Sequence, residues 1–473
     1  MNTRRALRVA LVLALFLSVP GVSTSGAQAP PTCHGKAATP TFLGAEGQIL
    51  GTAGDDVIVG TPGNDTILAG AGDDTVCGEG GIDNLDGGPD DDDLDGGPGF
   101  DQMRYEDSPN GMKVDLAGLG GFHAEGDGID TITNAEGIVG SKFDDTLRGD
   151  ELDNELIGLD GDDVLFGRGG QDIIHGDTGE DILSPGDGDG DVVTGGLGDD
   201  TISYRGAFDS VVVNLADGTA AGGWGNDIFS SADIENVAGS NDHDIITGST
   251  GPNFLYGYKG DDRLSGGPPE SPIDDNDVLL GGGDNDLMIG GNGNDALDGG
   301  PNRKSGGDTA TYEDAQGPVT ANLITGVAQP DGWGQRDTLT DIENLTGSYG
   351  EVNFTGDNGP NRLILCNHSD KGKGMGGKDV IYGGLSDDVI DGGEGRDTIY
   401  GEDGNDVLTG GADNDSLLGG RDNDTLIGNG GTNDQADGGE NVDHCNAENT
   451  ENCEKGPGVD RTPVARGAMK PFW

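Results

Sequence analysis

From Gly51 the chain can be written in rows of nine: GTAGDDVIV, GTPGNDTIL, AGAGDDTVC, GEGGIDNLD, GGPDDDDLD and GGPGFDQMR. Asp56, Asp65, Asp74, Asp83, Asp92 and Asp101 all fall in the sixth column. Ile58, Ile67, Val76, Leu85, Leu94 and Met103 all fall in the eighth. A chain that was merely acidic would scatter its aspartates over every column. Carboxylates at a fixed period, with Gly-rich turns between them, supply hard oxygen donors. No His or Cys occupies the sixth column, so the chemistry on offer is the binding of a hard cation, Ca²⁺ rather than Zn²⁺ or copper. Mg²⁺ suits the pattern less, because it holds its waters and demands a tight octahedron.

The same register returns three times. One block carries Asp145, Asp163, Asp172, Asp181, Asp191 and Asp200, with Asn154 in one slot and an extra residue before Asp191. Another carries Asp244, Asp262, Asp277, Asp286, Asp295 and Asp308, interrupted around Pro268-Pro269 and Asn302-Arg303-Lys304. The last carries Asp379, Asp388, Asp397, Asp406, Asp415 and Asp424, each followed two residues later by Ile or Leu. Asn154, Asn253 and Asn361 occupy Asp slots and weaken the expected sites there. The Asp phase is lost at Glu351-Val352-Asn353, and from Cys366 to Lys373 Asp370 keeps phase without its aliphatic partner. Ligation is doubtful in that stretch. Fifth-column residues such as Asp55, Asp73 and Asp387 are expected to face solvent.

These carboxylates can act together only if the backbone stacks them. The first six residues of a row are rich in Gly and Asp and predict a turn. The last three read x-aliphatic-x, a short strand with one inward side chain. Such a strand has no stability alone and survives by stacking on copies of itself. Two rows then make one turn of a flattened coil. Loops nine residues apart lie on opposite edges, and loops eighteen apart stack on one edge at about 4.8 Å. Asp56 and Asp74 share one edge; Asp65 and Asp83 share the other.

Rows such as Gly383-Gly384-Leu385-Ser386-Asp387-Asp388-Val389-Ile390-Asp391 and Gly392-Gly393-Glu394-Gly395-Arg396-Asp397-Thr398-Ile399-Tyr400 resemble the G-G-x-G-x-D-x-U-x repeat of the haemolysin-type (repeats-in-toxin) calcium-binding proteins. The resemblance covers most of residues 51 to 436. It implies an all-β chain folded as a parallel β-roll, a right-handed β-helix-like solenoid of several blocks joined by β-rich spacers. It also implies that each Ca²⁺ sits between stacked loops, bound by turn carbonyls and by the sixth-column aspartates named above. Asp pairs eighteen apart in uninterrupted rows suggest roughly ten ions per chain.

Between blocks lies a longer repeat. Tyr105, Tyr204 and Tyr312 each open a spacer, and packing at a block end is their expected role. An alternating strand-like run follows: Val114-Asp115-Leu116, Val211 to Leu215, and Val319 to Leu323. Glu136, Glu235 and Glu343 lie in the closing elements, where a turn or capping role is at least as expected as metal binding. The organisation expected is a signal peptide (1–27), an N-terminal cap (28–50), four repeat blocks (51–104, 140–203, 239–311, 347–436) alternating with spacers (105–139, 204–238, 312–346), and a C-terminal cap and tail (437–473).

Composition narrows the function. The 473 residues include 94 Gly, and 88 Asp plus Glu against 25 Lys plus Arg leave a formal charge of −63. That charge argues against nucleic acid or an anionic membrane surface as partner and makes bound cations the natural remedy for self-repulsion. Arg4, Arg5 and Arg8 followed by the short apolar run Val9 to Val19 read as a secretory signal, with cleavage after Ala27 preferred to cleavage after Ala29. No later segment is apolar enough to cross a bilayer as a helix. Five cysteines fit an oxidising, extracellular setting: Cys33 and Cys77 could close the start of the first block, Cys445 and Cys453 a small loop after the last, leaving Cys366 over. The six His residues have no metal-ligand spacing, and no nucleophile turn or phosphate loop is visible. The expected function is a secreted, non-enzymatic calcium-binding protein with a structural or interaction role. A surface adhesin for glycans or neighbouring cells is the alternative, and a carbohydrate-active enzyme the weakest reading.

Overall fold

The computed structural model describes residues 31–44, 47–118, 124–268, 275–302 and 305–453. The expected signal segment and most of the C-terminal tail lie outside them. The x-aliphatic-x segments form strands as their pattern predicts. Val57–Val59, Thr66–Leu68 and Asn84–Asp86 each bury only the middle side chain. Pairing is parallel and skips one row: Ile58 lies opposite Val76, and Ile67 opposite Leu85, eighteen residues on. Alternate rows therefore build two facing sheets. The result is an all-β parallel solenoid of about 22 turns. Its interior is one side chain thick from each sheet, and a single apolar cluster runs from Ile58 to Ala436.

In the second and fourth blocks many strands are longer than three residues. Val164–Gly169 and Thr398–Asp403 have six, and Val389–Gly395 has seven. The first columns of the following row stay in register before the chain turns, as where Arg168 pairs with Gly186 and Gly169 with Asp187. The turn itself is correspondingly shorter than six residues. Its second column is left-handed, with φ of 110° at Gly384 and 107° at Gly393. Glycine adopts that conformation without steric cost. Arg168, Cys366 and Glu402 adopt it too, at 79°, 98° and 78°, held there by the neighbouring layers.

Each spacer sets a three-stranded antiparallel meander into one sheet while the opposite sheet runs straight past it. In the first, Lys113–Asp115, Ala124–Glu125 and Ile129–Thr133 form the meander. Its last strand pairs back onto Asp93–Asp95, and its first pairs forward onto Thr146–Arg148. Across the core, Gln102–Arg104 pairs directly with Gly137–Val139. The second meander, Val211–Asn214, Thr219–Gly222 and Gly225–Phe229, lies in the opposite sheet. The third, Val319–Asn322, Val327–Asp331 and Asp337–Thr340, returns to the sheet of the first. The alternating run in the sequence marked the first strand of each meander but not the return. Tyr105, Tyr204 and Tyr312 are buried in the core cluster where the meanders begin.

Cys33 is bonded to Cys77 and Cys445 to Cys453, each pair with Cα atoms 5.7 Å apart, and Cys366 is a free thiol. The first bond holds a small hairpin, Thr32–Cys33 with Lys36–Ala37, against the first block. Beside it the His34 ring contacts Asp93 Oδ2 at 2.8 Å and Asp95 Oδ2 at 3.1 Å.

Because each layer contributes so few inward side chains, truncating one should be felt fully. Leu165 is 0% exposed in the middle of the second block. Leu165→Ala is expected to lower unfolding stability by about 2–5 kcal/mol, measured by denaturant titration in saturating Ca²⁺.

Candidate metal centre

The turn places each sixth-column aspartate at the rim of the core with its carboxylate pointing along the stack. Of the residues expected as ligands, all are buried except Asp65, which is half-buried in the outermost layer of its edge. One carboxylate oxygen is satisfied in a repeating way. Oδ1 accepts the backbone N–H of the aspartate one layer earlier: Asp56 to Asp74 at 2.7 Å, Asp163 to Asp181 at 2.8 Å, Asp388 to Asp406 at 2.8 Å. The contact survives the insertions, as from Asp172 to Asp191, Asp262 to Asp286 and Asp286 to Asp308. Fifth-column Asp55, Asp73 and Asp387 are exposed, as expected.

The other oxygen is different. Among the described residues, Oδ2 is buried without a hydrogen-bond partner on twenty sixth-column aspartates, including Asp74, Asp101, Asp172, Asp295, Asp397 and Asp424. These oxygens converge on the first-column glycines. A Cβ placed on Gly383 would stand 2.6 Å from Asp388 Oδ2 and 2.7 Å from the carbonyl oxygen of Gly401, one layer on. At Gly392 the corresponding contacts are Asp397 Oδ2 at 2.5 Å and the Gly410 carbonyl at 2.6 Å. Carboxylate and carbonyl oxygens from adjacent layers thus face one small space that glycine keeps open. A row of buried, unpaired carboxylate oxygens facing carbonyls is costly unless a cation enters. The donors are all hard oxygens, the set that fits Ca²⁺.

The stack also contains layers built differently. Asp56, Asp65, Asp145 and Asp244 begin their edges or blocks, and their Oδ2 atoms accept the N–H of Thr52, Thr61, Ser141 and Ser240, four residues earlier. Asn154, Asn253 and Asn361 keep the N–H contact but use Nδ2 to donate to the carbonyls of Glu136, Glu235 and Glu343, at 3.3, 2.7 and 2.8 Å. Nδ2 thus replaces the oxygen that faces the preceding layer, while Oδ1 stands in the Oδ2 place and accepts the N–H of Asp150, Ser249 and Asp357, at 2.7 Å each, so no oxygen is left unpaired and these layers can close without metal. The three glutamates cap the last aspartate before each spacer: Oε2 accepts the N–H of Asp101, Asp200 and Asp308 at 2.8, 3.0 and 2.8 Å.

Several equivalent residues escaped the reading of the sequence. Asp370 is fully in register, joining Val352 to Asp388, and its Oδ2 is buried and unpartnered. The doubt attached to that stretch came from its missing aliphatic residue, whose place Gly372 fills. Asp434 and Asp443 extend the ladder beyond Asp415 and Asp424 after one inserted residue. Asp130 and Asp337, on return strands of the meanders, accept the N–H of Asp92 and Asp295. Their sequence separations of 38 and 42 hid them from a search for a period of nine.

A sequence profile of the RTX calcium-binding nonapeptide repeat matches residues 50–85, 78–103, 148–183, 185–209, 238–268, 273–302, 367–399 and 400–434, together just over half of the chain. No curated protein matches the sequence.

Burial, followed by the charges of neighbouring aspartates, raises the carboxyls of Asp92, Asp163, Asp262 and Asp388 to about 8 and those of Asp74 and Asp406 to about 6. A carboxyl raised in the fold binds its proton more tightly folded than unfolded. Its contribution to stability is therefore complete below the unfolded value near 4 and lost as pH rises through about 6–8. In chelator, acidification from about pH 8 to about pH 5 should increase β-structure by circular dichroism. A metal-free chain whose β-signal weakened over that range would contradict the ladder of buried carboxylates.

Proposed function

The chain belongs to the RTX calcium-binding nonapeptide repeat family, and from that premise we propose that it is an exported, non-enzymatic structural protein that folds when Ca²⁺ fills its stacked loops. The observation that carries this reading is the row of buried Asp Oδ2 atoms without partners. We assign them, with the carbonyls of the first-column residues one layer on, as the ligands. Bound Ca²⁺ neutralises carboxylates that otherwise oppose one another. Asp and turn carbonyl orient the oxygens, first-column Gly keeps the space clear, and Oδ1 ties each ligand to the preceding layer.

The thin core leaves the metal-free fold poorly supported. Ordering each residue costs about 1–2 kcal/mol of backbone entropy. A cation that binds the stack and not the open chain shifts the equilibrium toward folding by mass action. Extracellular calcium modules work at about 10⁻⁴–10⁻³ M. A low-calcium cytosol then keeps the chain open for export, and the outside folds it. Two disulfides and the basic-apolar N-terminus support an extracellular destination.

One observation favours the adhesin reading beside this. On the outer face of the fourth block Ile364, Tyr382, Tyr400 and Leu418 form a ladder in register. The two tyrosine rings stack at 4.9 Å with 6° between planes, and Arg362 lies over Tyr382. Aromatic faces of this kind suit sugar rings. Binding to a glycan array that is lost in Tyr382→Ala/Tyr400→Ala would favour adhesion.

The calcium reading has three measurable outcomes. Circular dichroism should change from coil in chelator at neutral pH to β-structure at millimolar Ca²⁺, with Mg²⁺ a poor substitute. Native mass spectrometry should count roughly ten ions; one or two would exclude stacked-loop sites. Gly392→Ala, which fills the space beside Asp397, should remove an ion from the middle of the fourth block, as should Asp397→Asn, whereas Asp55→Asn on the exposed column should leave the count unchanged.

A further inference from the structure

The outer face of one sheet breaks with the acidic character of the chain. Eight neighbouring strands cross it from Glu155–Asp160 to Arg263–Ser265, through the second block and the whole of the second meander. On this face Ile173, Val192, Ile228, Val212 and Ile245 stand 41–61% exposed. Ile173 pairs with Val192, Val192 with Ile228, and Val212 with Ile245. Between Ile228 and Val212 the middle strand of the meander presents Thr219 and Ala221. The five aliphatic residues therefore form one strip across the stack.

Strand preference alone does not account for the strip. β-Branched residues suit strands, but Thr66, Thr146 and Thr398 meet that preference elsewhere with a hydroxyl. In the middle of these eight strands no carboxylate points outward between Glu155 and Arg263, although the chain carries a formal charge of −63. Asp160 and Asp177 lie toward the strand ends, at the rim. A contiguous exposed apolar strip with a polar rim marks a surface that another molecule covers.

The charges at its two ends say which molecule. Glu155 stands one strand beyond Ile173, and Arg263 one strand beyond Ile245. Glu155 also accepts a hydrogen bond from Gln102 Nε2 at 2.6 Å, which fixes its carboxylate on this face. The strip runs acid, aliphatic, base, so reversed end to end it is its own complement.

We propose that two copies of the chain pair face to face through this sheet. The two-fold axis lies between the two sheets, close to the strand direction, over the strands Thr219–Gly222 and Gly225–Phe229. It sets Ile173 opposite Ile245, Val192 opposite Val212, and Glu155 opposite Arg263 of the other copy, with the two solenoids running in opposite directions. Seven strand spacings make the strip about 34 Å long, and three residues make it about 10 Å wide. That area is at the small end for a specific interface, so the pairing is reversible, with a dissociation constant in the micromolar range. The proposal rests on strand register and exposure and uses none of the residues assigned to Ca²⁺.

Sedimentation velocity on the full chain in saturating Ca²⁺ should show a monomer–dimer equilibrium that shifts with concentration. Ile228→Asp, beside the axis, should raise the dissociation constant about tenfold or more. Glu155→Arg and Arg263→Glu each set like charges opposite one another and should weaken the dimer about tenfold. The double variant Glu155→Arg/Arg263→Glu exchanges the two ends and should restore the wild-type constant. Val389→Asp, at an aliphatic residue 51% exposed in the fourth block, should leave it unchanged. The substituted side chains all point outward, so each variant should keep the wild-type circular dichroism. A chain that is monomeric at every concentration overturns the proposal. So does a dimer that withstands Ile228→Asp, that the charge exchange fails to restore, or that Val389→Asp weakens equally.

Discussion

The contact on which the rest depends is the hydrogen bond from one aspartate's N–H to the next layer's Oδ1. It uses one carboxylate oxygen, fixes the other, and works only if successive layers are one strand spacing apart. Asp is the shortest acid that reaches, which explains why the column holds no Glu within the blocks. Glu136, Glu235 and Glu343 perform the same task only where a spacer changes the path of the backbone. The cost of the arrangement is electrostatic. Every layer adds another buried oxygen that water no longer solvates, and one inward apolar residue per row cannot offset a long series of them. The fold and its dependence on cations therefore have one origin.

Much of this was legible from spacing. A period of nine with separate acid and aliphatic columns determines parallel strands, two edges and an eighteen-residue layer, and Ile58 opposite Val76 follows directly. Asn154, Asn253 and Asn361 were readable as exceptions, but not as donors to three particular glutamate carbonyls. That contact depends on where the spacer leaves the chain. The meanders were least legible. Their strands obey no shared period, and Asp130 and Asp337 enter the ladder through pairings across about forty residues. Local pattern identifies what repeats, and long-range return does not repeat in sequence.

The Asn layers divide the ladder. After each spacer the chain resumes with a layer closed by an amide; after the third, Val352 also fills an aspartate position with a buried apolar side chain. Solenoids distribute stability between neighbouring layers. A layer that closes without metal gives each following block a firm surface to stack on before its own cations arrive. Blocks can then order one after another from these seams, and loss of ions from one block need not unravel the next.

The placement of the meanders has a consequence for shape. Each one adds two strands to one sheet and none to the sheet across the core, a difference of about 10 Å at normal strand spacing. The longer sheet must take the outside of a bend. The first and third meanders lie in one sheet and the second in the other, so successive bends oppose one another. Deflections that would close into a ring if they shared a side instead cancel in alternation. Alternate placement of the meanders therefore balances the two sheets along the chain, as insertion on one side alone would not.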